Sequence, residues 1–160
     1  MDLTDLPAYP HDKIGYPLRS GYSFKTRDLR EVSDMMVGPG ISHLISHYTV
    51  SDCAFTLRLS NGEEGYFRWW LANKINHGNS WFKMKIRTGE GLRYMPCHIA
   101  SDGIGNSQYQ NGSWTIACQL IVIGHPAEAM TETAAETLLQ NGPGDAYSTA
   151  RLNDTINGEW

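Results

Sequence analysis

At 160 residues, with 41% hydrophobic and 19% charged side chains, the chain has the size and composition of one globular domain with room for arms. Its net charge of −4 argues against a dedicated nucleic-acid binder, which needs a basic excess to neutralise phosphates. No run approaches the roughly 18 apolar residues of a membrane helix, so no membrane insertion is expected. The N-terminus shows no basic start followed by an apolar run, which predicts a chain made in a cytoplasm. Cys53, Cys97 and Cys118 are odd in number and widely spaced, and they read as small apolar residues rather than a disulfide framework.

The first fifty residues carry little periodicity and many prolines and glycines. Residues 1–20 read as an extended arm lying on a surface, a neighbour's surface included, because each proline pushes its predecessor away from helix. A short strand is expected over 22–26. Residues 29–36 are ambiguous between strand and helical turn, 38–40 form a turn, and 41–50 are extended again. The folded domain is placed at 21–124 and a C-terminal extension at 125–160.

The densest local signals lie between Cys53 and Ile86. Residues 54–60 put Phe55, Leu57 and Leu59 on one face and Thr56, Arg58 and Ser60 on the other, the half-buried antiparallel pattern. Ser60 precedes Glu63 by three, the spacing of a capping box, which contributes about 1 kcal/mol. The helix it opens is expected over about 62–77, with Phe67, Trp70, Leu71 and Ile75 on one stripe and Gly78 as its stop. Tyr66 and Trp69 widen that apolar face beyond what one packing surface needs. In the next strand, 81–87, Phe82, Met84 and Ile86 point one way and Lys83, Lys85 and Arg87 the other. The basic row is either a solvated sheet face or a salt-bridging subunit contact. A further strand is expected over 92–99, where Pro96 implies an edge or a bulge. Residues 101–112 read as a long polar loop, and 114–123 as the longest strand, apolar on both faces at its end. A short helix is expected within 127–140. The whole predicts a mainly β (α+β) fold: an antiparallel β-sandwich or partly closed barrel, one flanking helix, and extended N- and C-terminal arms.

Candidate chemistry is sparse. His43 and His47 stand four apart, and Cys97 adjoins His98, but metal ligation needs three or four such groups converging, so no metal is expected. The cysteines sit in strand patterns, which favours burial over thiolate reactivity. Glu63 and Glu64 are explained by a helix N-terminus better than by catalysis. No phosphate cradle or cofactor motif is present, and nothing in the sequence demands an enzyme. Trp69, Trp81 and Trp114 leave open a carbohydrate-binding β-sandwich that uses exposed tryptophans, with core packing as the default for each.

The segments Leu57 to Glu64, Phe67-Arg-Trp-Trp70, Gly78 to Phe82, Thr88 to Gly91 and Trp114 to Val122 together resemble small tail proteins of tailed bacteriophages. The arrangement is similar to the lambda-type minor tail protein M family and to the distal-tail and tail-tube fold. Pro7, Pro10, Gly15 and Tyr16 match the N-terminal arm of that group. The resemblance spans about 5–123. Around Gly40 the group tends to carry arginines where Ser42 and His43 stand here, and 125–160 has no counterpart. The resemblance implies a structural protein of the virion tail, assembled in the host cytoplasm into a ring, commonly six-fold. Its implied partners are copies of itself and other tail proteins (tube, tip or hub), with DNA only as cargo in a channel. Tyr66, Trp69, Lys83, Lys85 and Arg87 are the residues expected at the subunit interface.

Overall fold

A computed structural model describes residues 2–34, 36–125 and 131–141. The fold is mainly β and antiparallel. A five-stranded sheet has the order β1-β4-β7-β6-β5, built from β1 (Ser23–Thr26), β4 (Val50–Leu59), β5 (Phe82–Thr88), β6 (Gly91–Gln110) and β7 (Ser113–Ile123). Strands β2 (Arg30–Ser33) and β3 (Ile41–Leu44) pair only with each other, as a separate hairpin. The helices are α1 (His11–Ile14), α2 (Asn61–Asn73) and α3 (Glu132–Asn141), with a 3₁₀ turn at Asn76–Gly78.

The alternation read from the sequence is the alternation of burial. Cys53, Phe55, Leu57 and Leu59 of β4 are buried, as are Phe82, Met84 and Ile86 of β5. They meet Ile116, Cys118, Leu120 and Val122 of β7 in one core. Helix α2 closes that core with Phe67, Trp70 and Leu71, and Trp70 meets Phe82 edge to face at 5.2 Å.

Two expectations are corrected by the strand β6, which at 20 residues is longer than the 11-residue β7, where the longest strand is expected over 114–123. Residues 101–110 are not a loop: they continue the strand, and Ser107, Gln108, Tyr109 and Gln110 pair with Ile116, Thr115, Trp114 and Ser113. The hairpin turn is confined to Asn111 and Gly112, both at positive φ (52° and 78°), the geometry an Asn-Gly pair favours. Polar side chains misled because this half of β6 has one face towards water. Its pairing register shifts between Ile99 and Ile104 and again before Ser107. At this bend the backbones of β6 and β7 come so close that a Cβ on Gly103 would lie within 2.7 Å of the Ala100 carbonyl oxygen and would overlap that of Gln119. Pro96 stands just before Cys97↔Val122, where β7 joins, so β6 has no β7 partner there.

The bend lets β6 serve two partners in turn. Its first part pairs with β5 and its second with β7, so the sheet curls around the core. The two ends approach each other: the Tyr22 hydroxyl, beside β1, donates to the Arg87 carbonyl of β5 at 2.7 Å. The ladder itself does not close, so the sheet is not a barrel.

Helix α2 begins where its cap predicts. The Ser60 amide donates to Glu63 Oε2 at 2.7 Å, and the Glu63 amide to Ser60 Oγ at 3.4 Å. It ends at Asn73, four residues short of the expected end. Asn76 and His77 take left-handed φ values of 49° and 57° before Gly78 at 92°. Ile75, between the end of α2 and this turn, is fully buried. Helix α3 buries no side chain. The expected C-terminal helix begins within 127–130, which lies outside the described residues, as does 142–160.

Two glycines have opposite expected responses. Gly65 is exposed in α2 with open space around its Cβ position, so Gly65→Ala should stabilise by about 0.5–1 kcal/mol. Gly103→Ala should destabilise by about 2–3 kcal/mol. Urea denaturation of both variants checks the pair.

Candidate assembly surface

The expected interface residues divide between three environments. Trp69 remains on the surface, 47% exposed, with Tyr66 half-buried beside it at a ring separation of 5.5 Å. Both rings carry a cation: Lys13 lies over Tyr66 and Lys74 over Trp69. Trp70, its neighbour in sequence, is a core residue. One helical step of 100° therefore separates a packing residue from an exposed one.

Lys83 and Lys85 lie under the chain's own N-terminal segment. Residues 7–9 run parallel to β5, with the Tyr9 amide donating to the Lys83 carbonyl and the Lys83 amide to the Pro7 carbonyl, each at 2.9 Å. The Lys83 ammonium donates to the Leu3 carbonyl at 2.9 Å. The Lys85 ammonium donates to the Tyr16 hydroxyl at 3.2 Å and faces the Tyr94 ring. Further on, the Leu18 amide donates to Thr56 of β4. The segment is extended at 7–9 but takes one helical turn, α1, over His11–Ile14, so the expected extended arm is only partly extended, and it is a strap on its own domain. Tyr9 and Ile14 are core residues, each 3% exposed, and Tyr9 meets Trp70 edge to face. Sequence reasoning missed them because a lone tyrosine between two prolines has no periodicity to reveal its burial.

His11 anchors the middle of this strap. Its Nε2 accepts from the Lys85 amide at 3.1 Å, which leaves the proton on Nδ1, and Nδ1 is shielded from solvent with no hydrogen-bond partner. The ring stacks on Tyr16 at 4.4 Å. Burial, and then the Lys85 charge, lower its pKa to about 3, so the imidazole is neutral.

Arg87 faces elsewhere. It lines a cleft of about 440 Å³ with Arg19, Tyr22, Phe24, Thr88 and His125, at the side where β1 and β5 approach each other. The cleft has a basic rim and an aromatic wall.

Further exposed apolar residues lie outside the residues expected at the interface, in the β2–β3 hairpin. In the two strands of the β2–β3 hairpin every residue is exposed, on both faces. The register pairs Val32 with Ser42 and Arg30 with Leu44 on one face, and Ser33 with Ile41 and Glu31 with His43 on the other. Val32, Ile41 and Leu44 are each more than half exposed, and Ile45 and Tyr48 at its base are similarly open. The signal was present as apolar residues spaced through 29–50, but their lack of a common face hid the strands.

The groups considered for chemistry are placed apart. Cys53, Cys97 and Cys118 are buried and free. Burial pushes the Cys53 thiol to about 11 and Cys118 to about 12, and raises Cys97 as well, which removes thiolate character. His43 faces Glu31 at 3.4 Å in the hairpin, whereas His98 contacts Trp81 and the Ile99 and Asn79 carbonyls. No group of three potential metal ligands gathers among the described residues. Trp81 and Trp114 are half-buried, and the Trp114 indole donates to Asn61 at 2.9 Å. Of the three tryptophans weighed as a sugar platform, only Trp69 is open.

Compared with protein families, with curated proteins and with solved structures, the chain finds no match.

If the strap belongs to the fold of a single chain, Tyr9→Ala should cost about 3 kcal/mol of monomer stability, as for other buried aromatics. Denaturation at a concentration where the protein is monomeric measures it. An unchanged midpoint would mean that the strap contributes only between subunits.

Proposed function

We propose that this protein is a structural component of a bacteriophage virion tail. Copies form a ring, six-fold as in the group it resembles, at the distal tail, where the ring joins the tube to tip or receptor-binding proteins. The observation that carries the reading is the β2–β3 hairpin. Among the described residues both strands of this ribbon are exposed throughout, and a two-stranded ribbon is marginal by itself. This one also presents Val32, Ile41 and Leu44 to water. Such a ribbon gains stability when another surface covers it, and exposed apolar residues on both of its faces offer places for such a contact. The exposed Trp69 and half-buried Tyr66 on α2 are a second apolar surface, on another element. Two different patches on one chain are what a heterologous, ring-closing contact requires. The mainly β antiparallel fold is compatible with the tail-tube resemblance, and the tail assignment itself rests on that resemblance.

The ring reading is tested by mass measurement and negative-stain microscopy of the recombinant protein, and by searching purified virions for the chain. Val32→Asp with Ile41→Asp should leave the circular dichroism of the domain unchanged and abolish assembly. Trp69→Glu should do the same, whereas Trp70→Glu should unfold the chain. A wild-type protein that stays monomeric at high concentration and is absent from virions would sink the proposal.

A further inference from the structure

We infer that His11 is an acid-sensitive latch that holds the N-terminal strap, residues 7–18, against the edge of β5. The inference is independent of how subunits assemble. At neutral pH the ring is an acceptor: Nε2 takes the Lys85 amide proton at 3.1 Å. Protonation would place an N–H on Nε2, opposite the Lys85 N–H, so two donors would face each other and the bond would be lost. The imidazolium would also sit beside the Lys85 ammonium, the charged group of β5 that faces it. Three tyrosines lie beside the ring: Tyr9 and Tyr16 of the strap, at 4.6 and 4.4 Å, and Tyr94 of β6; Tyr16 and Tyr94 already face the Lys85 ammonium, at 5.8 and 5.4 Å. Lys83 of β5 is engaged by the Leu3 carbonyl. Helix α2 contributes Trp70, which meets Tyr9, and Tyr66, which lies under Lys13. Among the described residues no carboxylate forms an ion pair with His11. The second nitrogen, shielded and unpartnered, gains nothing from the charge.

The sign follows from linkage. In the released strap His11 faces water and takes up a proton near its ordinary value of 6.5. In the closed strap it resists protonation until far lower pH. The open state therefore binds protons first, and acid favours opening. The opening equilibrium should rise about tenfold per pH unit below 6.5, reaching about thirtyfold at pH 5 relative to pH 7.5. Opening would free the Lys83 amide and carbonyl at the edge of β5 and uncover Trp70, so the device converts acidity into an exposed strand edge beside an aromatic surface.

Amide hydrogen exchange of the full chain by NMR, corrected for the intrinsic rate, tests this at pH 7.5 and 5.0. Protection of the Tyr9, Lys83 and Lys85 amides should fall about thirtyfold, while that of Phe55 and Ile116 in β4 and β7 is unchanged. His11→Gln supplies an acceptor that does not titrate, and in it the strap amides should lose the pH dependence. Equal behaviour of the variant and the wild type, or no change in the wild type, would overturn the latch. Should the variant fail to fold, the His11 ring signal of the wild type decides: it should remain that of neutral imidazole at pH 5, and a titration midpoint near 6.5 would refute the inference.

Discussion

The close approach of β6 and β7 at Gly103 is the constraint on which the remaining architecture depends. No side chain fits between Gly103 and the Gln119 and Ala100 carbonyls. Glycine there lets the backbones approach while the register shifts through 99–107. A straight strand of twenty residues would carry β5 away from β4. The bent one turns β5 back, so that Phe82 and Met84 face the same core as Phe55 and Leu57. The hydrogen bond from Tyr22 to Arg87 spans what separation remains between the two ends.

The open sheet leaves an outer edge at β5, the separate β2–β3 hairpin has edges of its own, and the chain treats the two differently. The outer edge of β5 is covered by the chain itself, by main-chain hydrogen bonds from residues 7–9 and by Tyr9 packed on Trp70. Its basic side chains are matched with a carbonyl, a hydroxyl and two aromatic rings, a softer complement than carboxylates would provide. Among the described residues the β2–β3 hairpin is left uncovered, with apolar side chains on both faces, the kind of surface that exposed apolar residues offer for association.

The strap is therefore part of the fold and also its most conditional part. It is held by a handful of hydrogen bonds, and one of those bonds is accepted by an imidazole that burial keeps neutral even at acid pH. Segments of low local stability are where a fold can respond to its surroundings without losing its core.

The sequence alone determined what depends on neighbours along the chain. The alternation in 54–60 and 81–87 was legible because a half-buried strand repeats every two residues. The capping box was legible because Ser60 and Glu63 interact within one turn. The helix end was misjudged: α2 stops at Asn73, and Ile75, expected on its apolar stripe, reaches the core from the N-cap of a 3₁₀ turn whose Asn76 and His77 take left-handed φ. The second half of β6 was unreadable too: Ser101 to Gln110 become a strand only because β7 lies alongside to accept their hydrogen bonds. Of the interface candidates, Tyr66 and Trp69 owe their position to helix geometry. The fate of Lys83 and Lys85 was decided by a strap some eighty residues distant in sequence, and the open hairpin by what does not pack upon it. Local periodicity sets which face of an element is apolar. Only the tertiary structure decides whether that face meets the chain itself or is left for another surface, because that choice turns on contacts between residues far apart in the chain.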